Sequence, residues 1–87
     1  MSNFEAPLIS VVMSVYNDSK FLNTAIQSIL DQTFKDFEFI IIDDGSTDNS
    51  QAIIERFTNV DSRVRFYKNK TNKGLAYSLN KGISLSI

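Results

Sequence analysis

The sequence predicts an α/β protein in which a parallel sheet is built in the order β-α-β-α-β-α. Two short apolar runs rich in β-branched residues, at 8–15 and 37–42, have the length and composition of buried strands. A third run, at 63–67, alternates apolar and polar residues, and each of the three is followed by apolar residues at helical spacing. Because connections between parallel strands are right-handed, this order predicts helices on both faces of the sheet.

The first strand and helix follow from residues 8–30. The strand LISVVMSV is almost wholly apolar, so it should be covered on both faces, and Pro7 suits its entry. From Lys20 onward, apolar residues recur in pairs every four positions and mark one face of a helix. These pairs are Phe21, Leu22, Ala25, Ile26, Ile29 and Leu30. Asp18 or Ser19 can cap this helix.

The second strand ends in two adjacent carboxylates. It reads FEFIII over residues 37–42 and continues into Asp43 and Asp44, which repel each other and disfavour desolvation. Residues 48–51 (DNSQ) have the form of a capping box whose aspartate is the cap. The inner face of the second helix is then formed by Ile53, Ile54 and Phe57. The carboxylate pair must therefore reach solvent, a cation or a ligand that supplies hydrogen-bond donors.

The third strand and helix are less apolar. The segment RVRFY, at residues 63–67, alternates as an edge strand or a less buried strand would, with Val64 and Phe66 on one side. The polar loop 68–73 leads through Gly74 into a helix, which is indicated by Leu75, Leu79 and Ile83 at helical spacing. Three strands are few for such a sheet, and the sequence ends on an apolar residue. We therefore expect the chain to be the front part of a larger domain.

Composition excludes several kinds of function. The 87 residues carry nine Lys and Arg against ten Asp and Glu, a formal charge of -1, which argues against nucleic acid as a partner. Since the chain has no cysteine and no histidine, only oxygen ligands remain for a metal. The sequence has no apolar stretch long enough to cross a bilayer, and MSNFEAPLIS lacks the features of a signal peptide. A cytoplasmic location is therefore expected.

Three polar segments should lie on one edge of the sheet. Ligands of open α/β sheets bind at the carboxyl ends of the strands, where loops and helix N-termini converge. Residues 16–18 (YND), 43–46 (DDGS) and 69–74 (NKTNKG) follow the three strands and share this edge. Two aspartates after a strand are also common as turn and cap residues. From the residues alone, a ligand site and a structural turn both stay open.

The order and spacing of three motifs resemble the start of a family 2 glycosyltransferase of the GT-A fold. The motifs are ISVVMSVYN, then DDGSTDNS beginning 26 residues after Asn17, then NKTNKGLAYSLNKGI. The resemblance covers the chain from about Pro7 to its end. It implies a Rossmann-like half of a GT-A domain that holds the nucleotide of a sugar donor. A UDP-sugar is the expected donor, although another nucleoside diphosphate stays open, and polysaccharide biosynthesis is the expected process.

The resemblance implies a role in nucleotide binding for seven residues. Tyr16 matches the aromatic residue that lies against the base, where a flat ring loses little entropy on stacking. Asp44 matches the acid that accepts a hydrogen bond from a ring N-H of the base, and Asp43 would orient the strand end. Lys73 matches the third loop, which approaches the nucleotide in this family. Three further residues flank the contact with the base: Ser14, Val15 and Asn17.

The resemblance places the catalytic parts of the family beyond residue 87. The metal-binding Asp-x-Asp of the family follows the helix that begins near Gly74, and its general base lies further on. No catalytic residue and no metal ligand is therefore assigned to this chain. We expect Mg2+ or Mn2+, and an acceptor glycan or lipid-linked sugar, for the full-length enzyme. The chain alone should be inactive and prone to self-association through uncovered surfaces.

Three other functions can be compared with the residues. A dinucleotide-binding Rossmann domain needs a glycine-rich turn after its first strand, whereas residues 16–21 contain no glycine. A phosphoacceptor receiver domain would need an acid at the end of the third strand, and residues 67–69 (YKN) contain none. A module that only binds a partner, through an open apolar face, stays an alternative.

Overall fold

The computed structural model describes residues 9–32 and 35–86. Three strands and three helices alternate along the chain: β1 (Ile9–Val15), α1 (Ser19–Leu30), β2 (Phe37–Asp44), α2 (Ser50–Val60), β3 (Val64–Asn69) and α3 (Leu75–Leu85). The predicted α/β class and element order are confirmed, while Leu8 of the predicted first strand lies outside the described residues. No helix in the described ranges is long and apolar enough to cross a bilayer.

β2 is the centre of both the sheet and the core. The strand order is β1-β2-β3, and both neighbours are parallel to β2. All eight residues of β2 are buried. Its odd-numbered residues Phe39 and Ile41 lie in one apolar cluster with Ile26 of α1 and Ile54 of α2. α1 and α2 therefore cover the same face of the sheet, as right-handed connections require.

α3 covers the opposite face of the sheet. Two small buried residues, Ser78 and Gly82, lie one helical turn apart on the side of α3 that faces the strands. A Cβ atom on Gly82 would overlap Cγ1 of Val12 in β1, so the helix backbone approaches the strand very closely. The absence of a side chain at Gly82 thus sets the distance between α3 and the sheet.

The two outer strands differ in part from their predictions. The predicted covering of β1 on both faces is only partial, because five of its seven residues are half-buried, only Val15 is buried and Ile9 is 47% exposed. Among the described residues β1 pairs only with β2, so its other edge is open. β3 is an edge strand in the same residues, as predicted, but it continues to Asn69. Its last residues are held in the sheet by pairing with the end of β2.

Arg65, which forms an ion pair within the sheet, also fixes the C-terminal end of α3 to the sheet. Arg65 of β3 donates to Glu38 of β2 at 2.6 Å and to the backbone oxygen of Leu85 at 3.2 Å. The second bond satisfies a carbonyl in the last turn of α3 that has no partner within the helix. Glu38 is only 5% exposed, so loss of Arg65 would leave a buried charge. Arg65 and Gly82 together hold α3 against the strands.

Gly82→Ala should destabilise the fold, although alanine favours helices. The added methyl group meets Val12, and overpacking costs about 1–3 kcal/mol, against the roughly 1 kcal/mol that alanine gains over glycine in a helix. Urea denaturation measures the free energy of unfolding, with Asn80→Ala on the exposed side of α3 as the control. The double variant Val12→Ala/Gly82→Ala should recover part of the loss. A stabilised Gly82→Ala variant would contradict the close packing.

Candidate functional site

Three loops meet at the carboxyl edge of the sheet. They are the first rim loop (residues 16–18), the second rim loop (45–49) and the third rim loop (70–74), which follow β1, β2 and β3. Gly45 has a φ of 79°, and a Cβ atom there would lie 2.7 Å from backbone atoms of Thr71 and Asn72. Glycine permits both this backbone conformation and this close approach. The second and third rim loops are therefore in direct contact.

Asn17 joins the first rim loop to the second. Its backbone N-H donates to Oγ of Ser46 at 2.8 Å, and its Oδ1 accepts from the backbone N-H of Thr47 at 2.8 Å. Asn17 has a φ of 52°, in the left-handed region that asparagine tolerates better than most residues. The side chain of Asn17 is thus used between the loops, where it fixes the backbone next to Tyr16.

Asp48 links the first turns of α1 and α2. Its Oδ2 accepts from the N-H of Ser19 at 3.1 Å, and its Oδ1 accepts from the N-H of Ser50 at 2.9 Å. The hydrogen bond from the Ser50 side chain, with further bonds from Ser50 and Ser19, lowers the pKa of Asp48 to about 2. The ionised carboxylate therefore lies between the positive ends of two helices.

The capping-box prediction for α2 is wrong in its register. The N-cap residue is Asn49 rather than Asp48, and the side chain of Asn49 makes no capping bond. Gln51, which would reach back in a capping box, instead donates to Oδ2 of Asp43 at 2.8 Å. The N-cap of α1 is Asp18, one of the two predicted residues, but its side chain makes no capping bond either. The carboxylate of Asp48 serves both helix N-termini, since it bonds locally to the N-H of Ser50 and across the loops to the N-H of Ser19.

Asp43 faces α2 and is fully buried. Its Oδ2 accepts from the N-H of Ser46 at 2.9 Å and from Nε2 of Gln51. Its Oδ1 is buried without a hydrogen-bond partner in the part of the chain that the structure describes. Asp43 therefore tightens the turn after β2 with one of its two oxygens.

Asp44 faces the other side of the sheet, toward α3, and is 2% exposed. Its Oδ1 accepts from Nδ2 of Asn69 at 2.9 Å and from the N-H of Lys73 at 2.7 Å, and its Oδ2 accepts from the N-H of Gly74 at 2.8 Å. Burial raises the pKa of Asp44, but these three bonds and one from Ser78 outweigh it and hold the pKa below its usual value. The ionised carboxylate caps α3, because the N-cap residue Gly74 has no side chain.

The two adjacent carboxylates do not act as a pair. Successive side chains of a strand point to opposite faces, so Asp43 and Asp44 bond to different partners on different sides of the sheet. This geometry does not fit a cation shared by both. No group of three or more acidic, histidine or cysteine residues that could hold a metal occurs in residues 9–32 and 35–86. The separation of the two acids also removes support for a phosphoacceptor site.

The other predicted site residues differ in accessibility. Tyr16 is 47% exposed in the first rim loop, whereas Val15 is buried and Ser14 is half-buried in β1. The side chain of Lys73 is exposed, and its backbone N-H is the group that contacts Asp44. The predicted residues thus share one edge of the sheet, where Tyr16 is open to a ligand and Asp44 is covered.

Three residues around Asp44 are not among the predicted site residues, although Asn69 begins the polar segment that the sequence places at this edge. Asn69, Ser78 and Lys81 form one network, in which Asn69 donates to Oγ of Ser78 at 3.1 Å and accepts from Nζ of Lys81 at 3.1 Å. Asn69 lies opposite Asp44 in the strand register, so a correct end for β3 would have indicated it. Ser78 was signalled only by being small and polar on the inner face of a helix. Lys81 gave no signal.

The sequence matches the family model described as "Glycosyl transferase family 2" over residues 10–86. The chain belongs to glycosyl transferase family 2. This family 2 chain is 44% identical over 79 residues to the glycosyltransferase GlyG of Streptococcus pneumoniae. It is 46% identical over 77 residues to an uncharacterized glycosyltransferase of Haemophilus influenzae. These matches cover 91% and 88% of the chain, and 26% and 31% of the two relatives.

Two solved structures share the fold of this family 2 chain. The mannosyltransferase PcManGT of Pyrobaculum calidifontis, in complex with GDP-Man and Mn2+, matches 95% of the chain at a TM-score of 0.84 and 18% identity. TarS of S. aureus matches 90% of the chain at a TM-score of 0.81 and 27% identity. The matched parts are 25% and 24% of those proteins. The predicted GT-A fold is confirmed, and the chain spans about a quarter to a third of the relatives' length.

Asp44→Asn should destabilise the fold at neutral pH. An asparagine replaces one acceptor oxygen by a donor that faces N-H groups, and hydrogen bonds to charged groups contribute about 1.5–3 kcal/mol. We expect a loss of about 2–3 kcal/mol in the free energy of unfolding, measured by urea denaturation. Since the pKa of Asp44 is lowered by folding, its contribution is complete above the ordinary value of 3.8 and is lost as the pH falls through the folded value.

The control for Asp44→Asn is Asp36→Asn, which changes an exposed aspartate before β2 and should leave stability nearly unchanged. Because protonation in acid removes the contribution of Asp44, the difference in the free energy of unfolding between wild type and Asp44→Asn should shrink as the pH falls. A variant that is as stable as wild type at neutral pH would show that Asp44 does not stabilise the third rim loop and α3.

Proposed function

We propose that this chain binds the nucleotide of a nucleotide-diphosphosugar donor, a UDP-sugar, as part of an inverting glycosyltransferase. Membership of family 2 supports sugar transfer, and the mannosyltransferase complex with GDP-Man and Mn2+ supports a nucleotide-sugar donor for this fold. The transfer step, an acceptor glycan or lipid-linked sugar, and Mg2+ or Mn2+ are proposed for the full-length enzyme. Its process is polysaccharide biosynthesis in the cytoplasm or at the inner face of the membrane.

The exposed ring of Tyr16 on a fixed backbone is the observation that carries this proposal. Nearly half of the tyrosine is exposed at the carboxyl edge of the sheet. The next residue, Asn17, is bonded to Ser46 and Thr47, so little entropy is lost when a ligand orders the loop. Stacking of a base on an aromatic ring contributes about 1–3 kcal/mol. The first rim loop thus offers a platform for a nucleotide base.

Asp44 is the proposed acceptor for a ring N-H of the base. Its carboxylate is ionised and accepts hydrogen bonds only, which suits a uracil-like ring. Its lone pairs already face Asn69, Ser78, Lys73 and Gly74. A base would therefore replace one of these donors. The backbone N-H of Lys73 is the donor proposed to give way, because Lys73 is an exposed residue of the third rim loop whereas Asn69 and Ser78 are buried.

The third rim loop is therefore the part of the site that should change position when the nucleotide binds. If the base takes over an oxygen of Asp44, the N-H groups of Lys73 and Gly74 lose a partner and the loop changes position. The ammonium group of Lys73 is exposed on this loop and supplies positive charge for a diphosphate. Ser14 and Val15 support the site from β1, and Asp43 tightens the turn beside it.

Nuclear magnetic resonance (NMR) titration of the chain with UDP tests the proposal. We expect UDP to bind, and Tyr16→Ala to weaken it about tenfold because the stacking surface is lost. Tyr77→Ala is the matched control, because Tyr77 is 50% exposed on α3 and should not contribute. The amide signals of Lys73 and Gly74 should shift on addition of UDP.

Comparison of nucleotides tests the role of Asp44 separately. Asp44→Asn should weaken UDP binding and leave ADP unaffected, because adenine has no ring N-H at the equivalent edge to donate. GDP is the second candidate ligand, since a guanine base also carries a ring N-H. No binding of UDP or GDP, or equal UDP affinity in wild type, Tyr16→Ala and Asp44→Asn, would refute the proposed function.

A further inference from the structure

Lys81 extends from α3 into the polar cluster around Asp44. Its ammonium nitrogen lies 3.1 Å from Oδ1 of Asn69, a residue that is 6% exposed. In the described part of the chain, neither of the two ion pairs, Arg63 with Asp61 and Arg65 with Glu38, includes Lys81. The contact between the half-buried ammonium group of Lys81 and the neutral amide of Asn69 contributes little to the free energy of unfolding by itself. This arrangement therefore points to an effect on a neighbouring group.

Lys81 and Asp44 together fix the orientation of the Asn69 amide. An ammonium group only donates hydrogen bonds and an ionised carboxylate only accepts them. Asn69 must therefore turn Oδ1 to Lys81 and Nδ2 to Asp44, as the two distances show. Nδ2 also donates to Oγ of Ser78, and the hydroxyl of Ser78 bonds to Asp44. Both Asn69 and Ser78 thus act as donors toward the carboxylate.

This orientation disfavours a protonated Asp44. A protonated carboxyl group would need an acceptor nearby, and Asn69 could provide one only by turning Oδ1 away from Lys81. That turn would leave the ammonium group without its partner and direct an NH2 group at it. The groups that donate directly to Asp44 already favour its ionised form. Lys81 favours that form further by fixing the orientation of Asn69.

We propose that Lys81, acting through Asn69, is a positioning residue that keeps the Asp44 carboxylate aligned and acceptor-only. For its role in base recognition this inference rests on the proposed function, whereas the coupling of Lys81 to Asp44 rests on the network itself. Lys81 lies in the second turn of α3 and reaches Asp44 only through Asn69. It is therefore not a residue that contacts the nucleotide.

Few other charged groups face Asp44, since the ion pair of Glu38 and Arg65 on the same face of the sheet lies at the opposite end of α3, beside Leu85. Lys81 is the one charged residue of α3, and β1 contains none. Lys68, in β3, and Lys73, in the third rim loop, have exposed side chains. Asp43 points to the opposite face of β2, where it bonds to α2. Solvent screens the exposed lysines, so Lys81 is the cation with the most direct connection to Asp44.

The test follows the Asp44 carboxyl group by NMR in a chain labelled with 13C-aspartate, from neutral to acidic pH. Lys81→Met keeps a long unbranched side chain and removes the charge and the donor, so Asp44 should titrate at a higher pH than in wild type. Lys81→Arg supplies another donor for Asn69 and should restore the wild-type titration. Lys70→Met is the matched control, because it removes an exposed lysine next to Asn69 and should leave Asp44 unchanged.

An Asp44 titration that is the same in Lys81→Met and wild type would overturn the proposal, and so would an equal change in Lys70→Met. Circular dichroism confirms that each variant is folded. If Lys81→Met does not fold, Lys81→Gln, which keeps a neutral donor, replaces it with a smaller change expected in the same direction.

Binding measurements separate this inference from the proposed function. In UDP titrations, Lys81→Met should weaken binding about threefold to tenfold, the effect of one hydrogen bond, and the difference should grow as the pH falls. Lys35→Met, which changes an exposed lysine before β2 and outside the three rim loops, should bind as wild type does. If the wild-type chain binds neither UDP nor GDP, the proposed function fails, while the Asp44 titration still decides whether Lys81 positions that carboxylate.

Discussion

The buried Asp44 carboxylate is the interaction on which the carboxyl edge of the sheet depends. It lies at the end of the central strand and collects donors from β3, the third rim loop and α3. A buried charge is stable only when such donors surround it. α3 depends on the carboxylate in turn, because its N-cap glycine provides no side chain. One ionised group thus decides where the third rim loop runs and where α3 begins.

The three rim loops are joined by contacts of different kinds. Asn17 and Asp48 connect the first loop and the start of α1 to the second loop through hydrogen bonds at the surface. Gly45 lets the second and third loops touch through their backbones. The carboxylate of Asp44 holds the third loop by accepting hydrogen bonds from its backbone N-H groups, which a ligand with a donor of its own can replace. The backbone beside Tyr16 is therefore fixed by hydrogen bonds between loops, whereas the third loop is held by bonds that the proposed nucleotide would displace.

The order of elements could be predicted from the sequence, while their ends and caps could not. Apolar periodicity distinguishes strands from helices, but the end of β3 at Asn69 depends on hydrogen bonds to β2. Asp48 bonds locally to the start of α2, as its sequence pattern suggests, and the tertiary fold also uses it to join α2 to α1. The alternation of side chains along a strand could have predicted that Asp43 and Asp44 face opposite sides.

The residues that bond to Asp44 and to each other could not be predicted from the sequence motifs. Ser78 and Lys81 meet Asn69 only because Gly82 allows α3 to pack closely against β1, and this distance is a property of the folded chain. The motif DDGS indicated an important carboxylate without indicating what holds it. The structure adds that the second aspartate, which is the proposed acceptor for the base, is a structural cap. These two roles use the same oxygen atoms.

Amide hydrogen exchange at Lys73 and Gly74, measured by NMR, tests the central role of Asp44 most directly. The N-H groups of both residues donate to its carboxylate, whereas Lys70 and Asn72 in the same loop are exposed. At neutral pH, the exchange of Lys73 and Gly74 should be markedly slower than that of Lys70 and Asn72. Asp44→Asn should remove this difference. Equally fast exchange at all four amides of the wild-type chain would contradict the account.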